Sequence, residues 1–194
     1  MATDEYIQKF FSFRGRTRNL PFYPRRGKRE DLAKLMASIE FNLGAEIGVG
    51  EGLYSRVLLD ANHSLHLKCI DPWMAYNGKS HTRINMWYDE AMKNLNGRNV
   101  EVIRKVSLHA VKDFEHRTFD FVYIDGNHKF DFVILDIIYW MPKVKKGGIF
   151  ALHDYHNRVG IDVITAVDSY TRAHFINPWY VTREMDPTAF WVVK

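Results

Sequence analysis

The chain has 194 residues, 46% of them hydrophobic, a formal charge of +4 and one cysteine. This is enough apolar material for one compact domain, and the single Cys69 excludes an intrachain disulfide or a multi-cysteine zinc site. The first residues, Met1 to Glu5, carry acid and lead into no long apolar run, so no secretory signal or membrane span is legible and a cytoplasmic protein is expected.

The charge is unevenly placed. Residues 1–30 hold Lys9, Arg14, Arg16, Arg18, Arg25, Arg26, Lys28 and Arg29 against Asp4, Glu5 and Glu30, a net +5 that leaves −1 for the rest. Interleaved Phe10, Phe11, Phe13, Phe22 and Tyr23 make residues 1–28 a basic, aromatic arm that could bind RNA or another phosphorylated partner by charge and stacking. The stronger reading is a solvated arm whose aromatics pack on the domain or on a second subunit, as in a homodimer. The Pro21–Lys28 stretch marks its boundary with a domain over residues 29–194.

Helix and strand then alternate. Leu32, Leu35, Met36 and Ile39 have the spacing of an amphipathic helix, introduced by Glu30 and Asp31. Leu43 to Ile47 reads as a strand, Gly48 to Gly52 as a turn and Leu53 to Leu59 as a helix. Ser64 to Ile70 is a second strand, stopped by Pro72 after Asp71. A helix around Tyr88 to Leu95 ends at Asn96-Gly97, and Val100 to Ile103 and Phe119 to Asp125 are the third and fourth strands. Phe130, Val133, Ile134, Ile137, Ile138 and Met141 form the buried stripe of the next helix. Lys146-Gly147-Gly148 reads as a turn into a fifth strand, Ile149 to His153. A helix near Val163 to Thr171 precedes a terminal strand pair, Trp179 to Arg183 and Ala189 to Val193. The alternation predicts a doubly wound α/β sheet of seven strands, mostly parallel, with a C-terminal antiparallel pair.

Ligands of such sheets sit beyond the carboxyl ends of the strands, and here those ends are polar. The first closes in Glu46-Ile47-Gly48-Val49-Gly50-Glu51-Gly52, whose glycines would let backbone amides approach a ligand at a helix N-terminus. A dinucleotide fingerprint needs its third glycine where Leu53 stands. Glu46 would repel a pyrophosphate but suits a ligand carrying an ammonium and a sulfonium. Asp71, nineteen residues after the last glycine, can accept both hydroxyls of a ribose.

These segments resemble the first two motifs of the class I S-adenosylmethionine-dependent methyltransferases, the second being Ile70-Asp71-Pro72-Trp73. Phe119 to His128 and Lys146 to Tyr155 are similar to the subfamily of cephalosporin-hydroxylase-like and macrolide O-methyltransferases, and the resemblance spans about Leu43 to Tyr155. It implies a Rossmann-like enzyme that uses S-adenosylmethionine to methylate the oxygen of a small hydroxylated acceptor. It further implies that Glu46, Gly48, Val49, Gly50 and Gly52 hold the methionine part, Asp71 the ribose, Pro72, Trp73 and Ser107 the adenine, and that Asp125 stands beside the methyl donor.

Metal-using relatives bind a divalent ion at positions that match Asp125, His153 and Asp154; with a histidine among them, manganese, iron or zinc would suit as well as magnesium. His128 is the alternative proton acceptor beside Asp125. A noncatalytic cofactor-binding or scaffold subunit, whose arm recruits RNA or a protein, is the competing reading.

Overall fold

The computed structural model describes residues 2–12, 20–75, 78, 80–158 and 160–194. Phe13, Arg14, Arg16 and Arg18 of the basic arm lie outside the described residues.

The expected architecture is present. Strands β1 (Leu43–Ile47), β2 (His66–Ile70), β3 (Val100–Ile103), β4 (Phe119–Ile124), β5 (Val144–Leu152), β6 (Tyr180–Val181) and β7 (Ala189–Val192) form one sheet in the order β3-β2-β1-β4-β5-β7-β6. The first five are parallel, and β7 runs antiparallel to both of its neighbours. The strand order reverses between β1 and β4, the switch at which a crevice opens in a doubly wound sheet.

Helices cover both faces. On one side α1 (Thr3–Phe10), α2 (Arg29–Ser38), α3 (Leu53–Ala61) and α4 (His81–Leu95) share a core that includes Leu32, Leu35, Tyr54, Leu58, Ile84 and Tyr123. On the other, α5 (Ser107–Ala110), α6 (Phe130–Trp140) and α7 (Asp162–Ala173) pack through Ala110, Val133, Ile137, Trp140, Val163 and Val167. The near-continuous apolar run of β4 follows from this double covering, since five of its six residues are buried. No helix among the described residues is long and apolar enough to cross a membrane.

Several element boundaries differ from the sequence reading. The leader contains a helix: α1 buries Ile7, and Phe11 just after it packs in the same core. Thr3 Oγ1 donates to the Gly147 carbonyl and Tyr180 hydroxyl to Asp4, which pins α1 to the sheet edge. β2 starts at His66 because Asn62 organises a turn before it, accepting from the amides of Ser64 and Leu65. α4 starts at His81, not near Tyr88, where the Ser80 hydroxyl caps it by accepting from the Arg83 amide. Lys146-Gly147-Gly148 is no turn between elements. β5 runs through it with an irregularity opposite Phe119–Phe121, and a Cβ on Gly148 would meet the Asp120 carbonyl, so glycine is needed inside the strand.

Candidate functional site

The crevice is built at the adjoining ends of β1 and β4. A Cβ on Gly48 would overlap the Asp125 carbonyl, so only glycine lets the two strand ends approach, and Gly48 has φ +89°. Gly52, in the left-handed region at φ +74°, starts α3. Between them the amides of Val49 and Gly50 donate to Oδ2 of Asp71 at 2.9 and 3.0 Å, and the Gly52 amide donates to the Val49 carbonyl. The loop is thus closed by a carboxylate of its own chain. Those two amides do not face a ligand, a departure from the sequence expectation that also leaves no cradle for a phosphate.

Asp71 also accepts from the Trp73 amide through Oδ1 at 2.7 Å. Trp73 is 3% exposed, donates its indole N–H to the Gly50 carbonyl and packs edge-on against Tyr88. It props the loop from within the core. The Pro72 carbonyl meets the Arg104 guanidinium at the rim. Ser107 opens α5 beyond β3, where its hydroxyl donates to Asp136 and accepts from the Trp140 indole.

Glu46 is 1% exposed at the end of β1 and accepts from the Ser55 hydroxyl. Burial pushes its pKa up to about 8 against the opposing effect of Ser55, which favours the protonated carboxyl near neutral pH.

The polar centre lies beyond β4 and β5. His128 Nε2 is 3.4 Å from Oδ1 of Asp125 and 3.2 Å from Oδ2 of Asp154, and the three side chains offer ligand atoms within 4.8 Å of one another. Asp154 has φ +59°, an uncommon conformation for a residue with a side chain and one associated with functional sites. Burial opposes charge on Asp125, but the adjacent imidazoles of His128 and His153 outweigh it and hold the group well below the usual carboxylate range. Asp154 is lowered by His153 in the same way, against its burial. Burial disfavours the charged form of His128 too, yet the Asp125 carboxylate raises its pKa.

His153 faces two ways. Nδ1, buried and without a well-directed hydrogen bond, is 3.2 Å from Asp154 and 3.5 Å from Asp125. Nε2 is 3.3 Å from Nη1 of Arg29. The flanking carboxylates, against burial, push its pKa up to about 9, which would place protons on both nitrogens. A guanidinium can only donate, however, so the Arg29 contact is a hydrogen bond only to an unprotonated Nε2. We therefore assign the neutral imidazole with its proton on Nδ1, between the carboxylates.

Arg29 is the functional candidate that the sequence reading missed. It leaves the first turn of α2, lies 5.0 Å over the Tyr54 ring and 3.8 Å from Oδ2 of Asp125, and is held by its backbone: its amide donates to Glu184 and its carbonyl accepts from the Tyr54 hydroxyl. Its sequence signal was hidden among eight basic residues of the leader. His156 was missed as well. Its Nε2 lies between Asp154 and Asp186, 3.3 and 3.1 Å away, and joins the β6–β7 turn to the site. These three also lie within ligating reach of one another, but His156 Nδ1 accepts from the Arg158 amide. That puts the proton on Nε2, where a cation would need a lone pair.

Residues 45–155, more than half of the chain, match the family model described as a methyltransferase domain. Among solved structures the fold is similar to that of a putative caffeoyl-CoA O-methyltransferase from Staphylococcus aureus (18% identity, 86% of this chain and 83% of that one, TM-score 0.60). It is similar also to the O-methyltransferase NovP (18% identity, 86% and 79% covered, TM-score 0.63) and to cofactor-bound Rv0187 from MTB (14% identity, 98% and 87% covered, TM-score 0.63). No curated protein matches the chain in sequence. With the glycine loop, Glu46 and Asp71 at one switch-point crevice and the family model matched across it, the chain belongs to the S-adenosylmethionine-dependent methyltransferases.

Proposed function

We propose that this methyltransferase methylates the hydroxyl oxygen of a small acceptor at a centre made by Asp125, His128 and Asp154 with a divalent ion. The observation that carries the reading is the convergence of two carboxylates and an imidazole within 4.8 Å, beside the loop that would seat the methyl donor. The printed names of two solved neighbours, both O-methyltransferases, favour oxygen as acceptor.

The donor set suits magnesium, manganese, iron or zinc. His153 fits less well as a ligand than the sequence suggested. A metal on Nδ1 would require the proton on Nε2, opposite the Arg29 donor at 3.3 Å, so His128 takes the third place. When bound, the ion supplies Lewis acidity that lowers the pKa of the acceptor hydroxyl.

The methyl donor is a zwitterionic amino acid with a sulfonium, and the crevice has a side chain for each charge. Glu46, with the Gly48, Val49, Gly50 and Gly52 backbone around it, would hold the ammonium, and Arg29 the carboxylate. Asp71 would accept from the ribose while it keeps the loop closed, with Pro72 at the rim. Asp125 stabilises the sulfonium by its charge. In the in-line displacement the acceptor oxygen attacks the methyl carbon, the carbon–sulfur bond breaks to leave S-adenosylhomocysteine, and with an ion in place the acidified hydroxyl proton would pass to solvent water. Without an ion that proton goes to His128, whose side chain is 48% exposed and stands against Asp125.

The test is turnover on a panel of hydroxylated small molecules before and after exhaustive chelation, with calorimetry of S-adenosylhomocysteine alongside. Loss of turnover with retained cofactor binding is expected. Full activity in enzyme shown by elemental analysis to hold no divalent ion sets the ion aside and leaves His128 as base. Cofactor binding with no turnover on any acceptor favours the noncatalytic reading.

A further inference from the structure

α6 is apolar on both of its long faces. Val133, Asp136, Ile137 and Trp140 turn inward and are buried, with the Asp136 carboxylate accepting from the Ser107 hydroxyl. The outward face holds Phe132, Ile138 and Tyr139, three or four residues to either side of Leu135 and so on one side of the helix. Phe132, Ile138 and Tyr139 are each about half exposed, and Leu135 among them is half-buried. A helix on the outside of a domain normally turns polar side chains outward, and one that is apolar all round is normally covered. Among the eleven residues of α6, Asp131 in the first turn is the single charge that faces out.

The order of these residues says what covers them. Phe132 and Ile138 stand three positions before and after Leu135, and Asp131 and Tyr139 stand four positions before and after it. A second α6 laid antiparallel on the first, with the two Leu135 side chains on a two-fold axis, sets Phe132 against the partner's Ile138. It also sets the Asp131 carboxylate against the partner's Tyr139, whose hydroxyl can donate to it. Each of the five residues then has its complement, which is the condition for an interface between identical copies. A parallel pairing would instead set two Asp131 carboxylates side by side, at a cost in repulsion. A stable interface takes about 800 Å² from each copy, more than one helix face offers. The neighbouring helices extend the surface with two further exposed apolar residues, Val106 at the start of α5 and Ile161 at the start of α7.

We infer that the protein is a homodimer joined through the outward face of α6, with Leu135 on the two-fold axis and α5 and α7 at the rim. The contact lies across the sheet from α1, and the aromatic arm is not needed for it, since Phe11 is buried in the core of its own domain.

Sedimentation equilibrium of the whole chain tests this. At micromolar concentration the wild-type protein should have twice the 22.8 kDa mass of one chain. Leu135→Glu and Ile138→Glu should each sediment as one chain with an unchanged far-ultraviolet circular dichroism spectrum. Disulfide cross-linking reads the register, and the buried Cys69 does not interfere with it. Leu135→Cys should form a covalent dimer on mild oxidation, and so should a mixture of Asp131→Cys with Tyr139→Cys. Asp131→Cys alone should not, because its two copies would lie about 12 Å apart along the helices. A wild-type protein that sediments as one chain overturns the inference. A dimer that survives both glutamate variants overturns it too, since another surface then joins the copies, and so does cross-linking of Asp131→Cys alone in preference to the mixture. If the glutamate variants do not fold, the wild-type mass and the cross-links decide the matter.

Discussion

Nη1 of Arg29 lies 3.3 Å from Nε2 of His153, so a residue from the start of α2 meets a β5-end histidine in a contact that is a hydrogen bond only when that nitrogen is unprotonated. The same guanidinium, over the Tyr54 ring, is the one proposed to receive the methionine carboxylate. Arg29→Met should weaken S-adenosylhomocysteine binding by about 1.5–3 kcal/mol, the range for hydrogen bonds to charged groups, or roughly tenfold to a hundredfold. Arg29→Lys should recover only part of this, since a point charge does not reproduce the planar fork. Unchanged affinity in a folded Arg29→Met protein counts against the assignment.

The two histidines separate the structural reading of the ion site from the sequence reading. Manganese binding followed by electron paramagnetic resonance should weaken about tenfold or more in His128→Ala and markedly less in His153→Ala. The opposite order would restore His153 as the ligand and require the Arg29 contact to break on metal binding.

Glu46 links pH, stability and cofactor. Burial raises its folded pKa to about 8 from the 4.5 of a free glutamate, so between these pH values the unfolded chain has lost a proton that the folded protein keeps. Its contribution to stability therefore falls as pH rises through that window. Glu46→Gln should melt like the wild type near pH 4 and above it at pH 8, by an amount on the order of a few kcal/mol at most. It should also lose cofactor affinity. A variant that melts lower than the wild type at pH 8 contradicts the protonated, buried carboxyl.

Asp71 closes the glycine loop and is proposed to hold the ribose, so Asp71→Ala should lower both melting temperature and affinity. The expected loss of affinity is about 1–3 kcal/mol. Retained affinity in a folded variant would confine Asp71 to its structural part.

α1 offers a test of packing. Ile7 is fully buried against the sheet. Ile7→Ala should cost about 2–5 kcal/mol in urea unfolding; a cost within the noise of a surface substitution would mean that the helix does not hold to the domain.

Most of the scaffold was legible because strands covered on both faces must be apolar, and the few polar residues that end them then stand out. Glu46, Asp71, Asp125 and Asp154 were found in this way. Lys146-Gly147-Gly148 misled for a physical reason: glycine serves equally in a turn and where two backbones come close, and only the Asp120 carbonyl across the sheet tells them apart. Arg29 and His156 were not legible as site residues, because their roles depend on where the start of α2 and the β6–β7 turn fall in space.

The pairing of β1 with β4 also bears on how the molecule comes to be folded. Asp120 on β4 accepts from the backbone amides of Asn42 and Leu43 at the start of β1, across 78 and 77 positions of sequence. Joining these strands closes a long loop before it is rewarded by contacts, the kind of step that slows folding. The same event brings Asp125 beside Gly48, so the crevice forms only with the strand pairing that spans the most sequence. Asp120→Ala should slow refolding more than it speeds unfolding, and in the time before β4 docks the chain would have helices and a partial sheet but no place for the cofactor.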